Sequence, residues 1–400
     1  MYVWLPLPAN LSDLYLMKLF PLLTFMISLA ATVVAQPGTA PNRLLVVSGG
    51  GARGAWGAGL ANYLDSTGKR YAHIVGTSTG SLMAPLILLR KFSELNLAYT
   101  STTQKKIFNI NPFKADGNIR ILNALCRINK PSLGTTENLK TLIKTFVSPA
   151  DYAQIRNSQG LDFTVSLVNF RTLQPAYQSA SQNPDYEQMI NWIWASANEP
   201  VFMSPYRKMN ADGTEDFWVD GGVRNPIPIR QGLQIALDRG YSTIDVIVNS
   251  ALSADEPTAT WPDKRPSLFK SLTRTIATFS SGTREMNITI GKLLTRLANL
   301  QPDPQLVSTA VQPVATANKT SLTLTLYFMP DELYKLIPNE LNFDPATMTT
   351  LLNAGKQGQY VMQPTILQRV PGVTAQSTEG TYSFQLSRAA VAQLLNDLNK

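Results

Sequence analysis

The chain is poor in the side chains on which many catalytic and metal sites depend. Its 400 residues include one histidine, His73, and one cysteine, Cys126. A lone cysteine excludes intramolecular disulfides, and the two residues together are too few for a Cys- or His-based metal site. Any chemistry must therefore depend on Ser, Thr, Asp, Glu, Lys, Arg and Tyr side chains and on backbone groups.

Acidic residues are also in the minority. The 27 Asp and Glu residues are outnumbered by 35 Lys and Arg residues, which gives a formal net charge of +8. A basic protein is attracted to anionic surfaces such as phospholipid or nucleic acid. No cluster of Lys and Arg is interleaved with aromatic residues, so nucleic acid is not an expected partner.

The N-terminal apolar run is short for a membrane span. It covers residues 19–31, follows Lys18, and leads to a small-residue site at Ala35. This pattern predicts a secretory signal in residues 1–35, cleaved near Ala35, in an exported protein that is periplasmic or secreted. An uncleaved membrane anchor is the alternative interpretation. We treat residues 1–16 as an extension upstream of the signal.

The hydrophobic pattern after this segment predicts an α/β fold. Apolar runs at 43–47 and 72–75 indicate buried strands, and each is followed by a glycine-containing turn and a helical stretch. This alternation is typical of a mostly parallel central sheet flanked by helices. Residues 92–150 are expected to form a lid or cap insertion. The remaining predicted elements are helices at 53–66, 79–91, 185–197 and 229–239, a strand at 161–170 with a hairpin return, a strand entering a glycine turn within 215–229, a strand at 243–249 and a long loop at 251–267.

Residues 264–300 are basic and amphipathic. Seven Lys and Arg residues are opposed by Glu285 alone, and Leu268, Leu272 and Ile276 recur at helical spacing. Such a segment can rest on an anionic lipid surface. The alternative, which is favoured, is a solvated helix whose apolar side packs on the domain.

The segment GTSTG, at 76–80, lies between a predicted strand and a predicted helix. A nucleophilic serine needs an exposed side chain with backbone N–H groups close to its oxygen, and a sharp strand-to-helix turn provides both. The flanking glycines suit positions where the backbone passes too closely for a side chain. The helix N-terminus favours an oxyanion, to which the Thr79 N–H can donate. Ser78 is therefore a candidate nucleophile, and an ordinary βα turn is the alternative interpretation.

This serine has no suitable histidine. None follows Ser78, and His73 lies five residues before it on the strand, which at ~3.3 Å per residue carries the ring away from the turn. We expect His73 to be a packed or edge side chain, and the base to be a carboxylate or a lysine. The best candidate is Asp220, which ends the apolar stretch 217–219 and precedes two glycines. Partial desolvation would raise its pKa toward neutrality. A plain Asp-Gly turn residue is the equally weighted alternative.

A third candidate element is the string SGGGARG at 48–54. Consecutive glycines after a strand expose a row of N–H groups that can hold an anion. The string also fits the dinucleotide pattern G-x-G-x-x-G, but that site needs an acidic residue at the end of the next strand, which here ends in Gly-Thr-Ser. The string lacks the Gly-Lys-Ser/Thr of a phosphate-binding loop as well. An oxyanion hole is therefore the favoured interpretation.

Together the motifs resemble the patatin-like phospholipase family. Three of them carry the resemblance, in the family's order: GGGARG at 49–54, GTSTG at 76–80 and DGG at 220–222. Two further segments, 195–206 and 341–359, are similar to stretches typical of the family. The resemblance covers roughly 43–360, which we predict to be one acyl hydrolase domain. Residues 361–400 are then a C-terminal extension of unknown role.

The resemblance implies a three-layer α/β fold and a serine lipid acyl hydrolase of phospholipase A or lysophospholipase type. Ser78 would attack the acyl ester and Asp220 would act as the base, without histidine. The residues that would form or flank the oxyanion hole are Gly49, Gly50, Gly51, Arg53 and Thr79. No metal or cofactor is implied, and the expected partners are a lipid acyl ester and an anionic membrane surface.

Two departures from the family pattern bear on specificity. The residues after DGG read VRNPIP, which places Arg224 beside the predicted pocket, and Pro85 interrupts the helix behind the serine. A fold does not dictate an activity. A non-catalytic lipid-binding or storage protein on the same fold is therefore the alternative function.

Overall fold

The computed structural model describes residues 41–114, 119–251 and 322–360, together with the backbone of 376–378 and 381–386. The strands within these residues are, in chain order, β1 (Arg43–Val47), β2 (His73–Thr77), β3 (Asp162–Asn169), β4 (Gln174–Ser179), β5 (Tyr206–Met209), β6 (Glu215–Asp220), β7 (Thr243–Ala251), β8 (Leu322–Met329), β9 (Gln376–Thr378) and β10 (Thr381–Leu386). The helices are α1 (Gly54–Ser66), α2 (Thr79–Leu88), α3 (Phe92–Ser101), α4 (Gln104–Ile107), α5 (Ile121–Cys126), α6 (Glu137–Phe146), α7 (Pro149–Asn157), α8 (Tyr186–Ser196), α9 (Ile229–Arg239), α10 (Asp331–Tyr334) and α11 (Pro345–Lys356).

The strands form one mixed sheet whose central part is parallel, as the sequence predicts, and whose outer part is antiparallel. Its order is β5-β6-β3-β2-β1-β7-β8-β10-β9, with β4 also paired to β3. The five central strands, β3 to β8 in this order, are parallel to their neighbours. The outer pairings are antiparallel. Short hairpin connections at β3–β4 and β5–β6 explain part of this difference, because parallel neighbours need a long crossover.

The strand β1 shows how the sheet separates two helical layers. Its side chains alternate between the two faces, as in any strand. Leu45 and Val47 belong to the main core, which contains residues of α1, α2 and α11. Leu44 and Val46 lie against Gly232 of α9 on the other face. The helices therefore flank both faces, as predicted.

Small residues allow α1 and α11 to pack closely. A Cβ on Gly59 of α1 would lie 2.1 Å from the carbonyl oxygen of Leu352, and one on Gly355 of α11 would lie 2.2 Å from that of Trp56. No side chain fits at such distances. This contact attaches the C-terminal part of the described chain to the first helix.

Residues 92–150 contain several short helices rather than one long element. Leu95, Ile107, Leu139 and Ile143 from three of these helices are buried in the main core. Helix α6 presents Leu139 and Ile143 on one side and charged residues on the other. The predicted cap region therefore packs on the main core through an apolar face.

Some predicted elements differ from those in the structure, and other predictions concern segments outside the described residues. The strands β5 and β8 were not predicted, and α2 continues through Pro85 to Leu88. The predicted signal, the loop after residue 251 and the basic segment 264–300 lie outside the described residues. In the parts of the chain that are described, no helix has the length and apolar character to cross a membrane.

All described elements belong to the compact unit Asn42–Lys400. The domain limits 43–360 stay a prediction.

Candidate active site

Ser78 occupies the sharp turn between β2 and α2. Its backbone has φ 54° and ψ −123°, a conformation that L-residues rarely adopt. Such strain is typical of a nucleophile at a strand-to-helix turn. A Cβ on Gly76 would lie 2.4 Å from the carbonyl carbon of Gly80, and one on Gly80 would lie 2.3 Å from the oxygen of Val47. The prediction that only glycine fits on both sides of the serine is confirmed.

Asp220 reaches Ser78 because two strands meet end to end along one edge of β3. Strand β2 pairs with β3 up to Ser166, which lies beside Thr77. Strand β6 arrives antiparallel and pairs with the next residues, with Asp220 beside Leu167. The opposite edge of β3 is occupied by β4. The last residue of β6 is therefore placed next to the turn that follows β2.

The Ser78 hydroxyl and the Asp220 carboxyl line the same pocket, and the hydroxyl lowers the pKa of this carboxyl as a hydrogen-bond donor does. Its Oδ1 also accepts the Gly222 N–H at 2.6 Å, and its own N–H donates to the Asn198 carbonyl at 3.0 Å. Asp220 is 6% exposed. Burial raises the pKa of Asp220 to about 7, against the opposing effect of the Ser78 hydroxyl and the Gly222 N–H. A carboxylate with such a pKa can take a proton near neutral pH.

The glycine row lies beside the serine, since a Cβ on Gly49 would be 3.3 Å from that of Ser78. The Gly49 N–H, however, donates to the Pro226 carbonyl at 2.9 Å. The expectation that all three glycine amides serve the oxyanion is corrected here, because this donor is already used within the fold. Gly50 and Gly51 remain, with φ 141° and 50°. Only glycine adopts these angles without strain.

Thr79 and Arg53 differ in how the fold uses their side chains. Thr79 is the first residue of α2, and its hydroxyl hydrogen-bonds with the Tyr99 hydroxyl of α3. Its backbone N–H belongs to the first helical turn, whose donors have no partner within the helix.

Arg53 is expected beside the oxyanion hole, but its guanidinium faces the segment 337–340. It donates to the carbonyls of Ile337 and Pro338 at 3.0 and 3.1 Å and lies 3.3 Å from a Glu340 carboxylate oxygen. It also lies over the Tyr334 ring, 4.2 Å from the centroid. Arg53 lines the pocket, and its donors are engaged with this segment.

His73 is a packed side chain, as expected. It is 1% exposed, its Nε2 lies 2.8 Å from the Thr164 hydroxyl, and its Nδ1 lies 4.0 Å from Asp162. Burial lowers the pKa of His73 to about 4, against the opposing charge of Asp162. The imidazole is therefore neutral near pH 7 and bonded within the sheet, away from the turn at Ser78.

Three buried serines that sequence reasoning missed hold the turn in place. The Ser78 N–H donates to the Ser196 hydroxyl at 3.1 Å, and this hydroxyl donates to the Ser166 carbonyl at 2.7 Å. The Ser81 hydroxyl lies 2.8 Å from that of Ser196 and donates to the Gly76 carbonyl at 2.8 Å. The sequence gives no signal for this network, because its members are up to 118 positions apart.

Glu199 is a second missed residue. It lines the same pocket as Ser78 and Asp220, and burial together with the charges of Glu340 and Asp220 raises its pKa well above the usual range. A raised pKa favours the protonated form of this carboxyl, which is a hydrogen-bond donor. Among the described residues, no group of three or more His, Cys, Asp or Glu is arranged to hold a metal ion.

The pocket above the serine encloses about 170 Å³. Its polar end contains Ser78, Asp220 and the glycine row, and the rest of its wall is mainly apolar. The arrangement can hold an apolar molecule with one polar group at the serine. A hydroxyl that shares a pocket with a desolvated carboxylate and backbone N–H groups is suited to acyl transfer.

Part of the chain matches a known protein family. The family described as patatin-like phospholipase matches residues 45–233, a range that contains all three sequence motifs. No curated protein matches the chain significantly. Among solved structures, the crystal structure of VipD from Legionella pneumophila is similar, with 14% sequence identity and a TM-score of 0.33, over 79% of this chain and 67% of that chain.

Proposed function

We propose, from the premise that residues 45–233 are a patatin-like phospholipase domain, that Ser78 and Asp220 are the catalytic dyad of this protein. Membership of that family implies lipid acyl hydrolase activity. The observation that carries the proposal is that Ser78 and the buried Asp220 line one pocket, where β2 and β6 end beside consecutive residues of β3. The enzyme would be a carboxylic ester hydrolase of phospholipase A or lysophospholipase type.

The first half of the reaction acylates the serine. Asp220 accepts the hydroxyl proton while the Ser78 oxygen attacks the carbonyl carbon of the ester. The N–H groups of Gly50, Gly51 and Thr79 stabilise the negative charge that develops on the carbonyl oxygen. The bond from carbon to the alcohol oxygen then breaks, and the alcohol leaves with the proton from Asp220.

The second half releases the fatty acid. Asp220 accepts a proton from water, and the hydroxide formed attacks the acyl carbon of the acyl-serine. The bond to the Ser78 oxygen breaks, and this oxygen recovers the proton. In each half of the reaction, Asp220 must be ionised before the nucleophile attacks and protonated before the leaving group departs. A pKa of about 7 favours both states near neutral pH.

Replacement of the nucleophile tests the proposal. We expect Ser78→Ala to lower kcat/KM for p-nitrophenyl butyrate by ~10⁴-fold or more. The matched control is Ser66→Ala, at an exposed serine of α1, which should keep wild-type activity. A fluorophosphonate probe should label the wild type and the control but not Ser78→Ala. An unlabelled wild type would favour a non-catalytic lipid-binding protein, and turnover by Ser78→Ala would contradict the dyad.

We also propose that the protein is exported, with its signal cleaved near Ala35, and contacts anionic membranes through residues 264–300. The residue pattern of 1–35 and the positive charge of 264–300 support these two proposals. The intact mass of the protein recovered from the exporting cell should correspond to a start near Gln36. Vesicle binding should require anionic lipid and weaken with salt. Full-length mass, or salt-independent binding, would contradict them.

A further inference from the structure

The pocket has an apolar arm that bond cleavage at Ser78 does not itself require. Three helices contribute its wall, through Leu82 and Leu86 of α2, Leu95 and Tyr99 of α3, and Leu139 and Ile143 of α6. Most of these side chains are buried. An apolar cavity that opens onto a nucleophile suits an apolar part of the molecule being attacked.

The helices α2 and α6 both begin at the polar end of the pocket. Helix α2 starts directly after Ser78. Helix α6 starts after Thr136, whose hydroxyl donates to the Asn198 side chain at 2.7 Å. The Asn198 carbonyl in turn accepts the Asp220 N–H at 3.0 Å. The walls of the arm therefore originate on both sides of the proposed dyad.

The same helices also end near one another. Lys91 follows α2, and its ammonium lies 2.8 Å from a carboxylate oxygen of Asp151. Asp151 belongs to α7, five positions after the last residue of α6. Both helices therefore line the pocket between the proposed dyad and the Lys91–Asp151 ion pair.

The arm closes at Leu86 and Val147. Both side chains line it, and they are 3% and 2% exposed. In the described part of the chain, no residue of α2 beyond Leu86 and none of α7 lines the pocket. Leu86 is eight positions past Ser78, which on a helix corresponds to ~12 Å. An extended chain advances ~1.2 Å per bond, so about ten carbons fit between the serine and this end.

We infer that this arm binds the acyl chain of the ester and that Leu86 and Val147 limit it to about ten carbons. The inference rests on the proposed function, and it adds a substrate class to it: esters of medium-length fatty acids. Each added pair of methylenes that finds apolar wall should strengthen binding about tenfold. Methylenes beyond the closed end find none.

The wild-type chain-length profile is the first test. We expect kcat/KM for p-nitrophenyl esters to rise about tenfold from butyrate to hexanoate and again to octanoate, to level off near decanoate, and to rise no further with palmitate. A rise that continues to palmitate, or a profile independent of chain length, would overturn the inference. Either result would leave the proposed dyad intact, since turnover itself is observed.

Two substitutions at the closed end should move the limit in opposite directions. Leu86→Phe shortens the arm and should lower the decanoate-to-butyrate ratio of kcat/KM about tenfold. Leu86→Ala lengthens it and should raise the palmitate-to-decanoate ratio. The matched control is Leu97→Phe, at a side chain of α3 that is 56% exposed, which should leave both ratios unchanged. Equal ratios in all three variants would contradict the inference.

A binding measurement keeps the test independent of turnover and of folding defects. Titration calorimetry of Ser78→Ala protein with free fatty acids should show affinity that rises from butyrate to decanoate and is no higher for palmitate. The thermal transition of each variant shows whether it is folded, and the two Leu86 variants must shift the limit oppositely, which a loss of structure would not do. Equal affinity for all of these fatty acids would overturn the inference that the arm binds the acyl chain, and this result does not depend on catalytic activity.

Discussion

Asp220 and Asp245 are both buried aspartates on strands of the same sheet, yet their surroundings differ. Asp245 is fully buried and accepts hydrogen bonds from Arg43 at 2.8 Å, Tyr71 at 3.0 Å and Tyr327 at 3.4 Å. The Asp220 carboxyl accepts the Gly222 N–H and lies in the same pocket as Ser78, and it forms no ion pair with any of the described residues. Burial alone therefore does not make a carboxylate reactive. Arg43 and two tyrosine hydroxyls stabilise Asp245, whereas Asp220 faces Ser78 and the pocket.

The strongest way to separate the two sites is to neutralise Asp220. We expect Asp220→Asn to lower kcat/KM for a short ester by ~10⁴-fold, because the base is lost. The folded-state pKa of about 7 lies above the usual value, so the stability that Asp220 costs grows as pH rises from about 4 to 7 and is constant at higher pH. In urea denaturation at pH 8, the free energy of unfolding of the variant should therefore exceed that of the wild type by up to ~3 kcal/mol. Below pH 4 the two proteins should be equally stable.

The control for that experiment is the pH dependence of the stability difference itself. A gain that is equal at both pH values would show that the carboxylate charge is not its cause. Activity above a tenth of wild type would show that Asp220 is not the base.

The equivalent change at the other carboxylate should have the opposite outcome. Asp245→Asn leaves Arg43 and two tyrosine hydroxyls without their anionic partner, and should lower the free energy of unfolding by ~2–3 kcal/mol. The loss is smaller than for a fully buried ion pair because the Arg43 side chain is 30% exposed. Esterase activity of the folded fraction should stay within about threefold of wild type. Loss of activity without loss of stability would mean that Asp245 contributes to the reaction.

A pH profile sharpens the comparison without any substitution. Because burial raises the pKa of Asp220 to about 7, the fraction of ionised base falls as pH drops below 7. Between pH 7 and pH 5, kcat/KM should fall about 50-fold, close to tenfold per unit at the lower end. The thermal transition measured over the same range identifies any contribution from unfolding. A profile that is flat to pH 5 would contradict a base of this pKa.

The smallest effect is expected at the histidine. His73→Gln keeps a polar side chain toward Thr164 and should leave kcat/KM within about fivefold of wild type, because the ring is bonded within the sheet rather than to Ser78. The assay needs the folded concentration from circular dichroism, since the site is buried. A loss of ~10³-fold in folded protein would restore histidine as a candidate base.

The turn at Ser78 was predictable because its causes are local. Two glycines at fixed spacing, a strand before them and a helix after them limit the backbone to few conformations, and a count of histidines removes the most frequent base. The helices α1, α8 and α9 were predictable from spacing in the same way. The strand β8 was missed, although LTLTLYFM alternates threonine with apolar residues in its first half.

The acceptor that each hydrogen-bond donor of the site binds was not predictable. Gly49 and Arg53 belong to the motif that predicts an oxyanion hole, yet the Gly49 amide donates to Pro226 and the Arg53 guanidinium to residues 337–340. Both partners are distant in sequence. A motif indicates which groups are near a site, but the acceptor that each donor finds depends on segments packed there by the whole fold.

By itself the sequence determined the strained serine turn and the absence of a histidine to serve it, since both depend on residue identity and short-range sterics. Only the tertiary structure decided that Asp220, 142 positions after Ser78, lies next to the serine turn. That meeting requires β6 to arrive antiparallel and end on β3 just where β2 stops. Strand direction and register are settled by pairing and burial across the sheet, which no local pattern encodes.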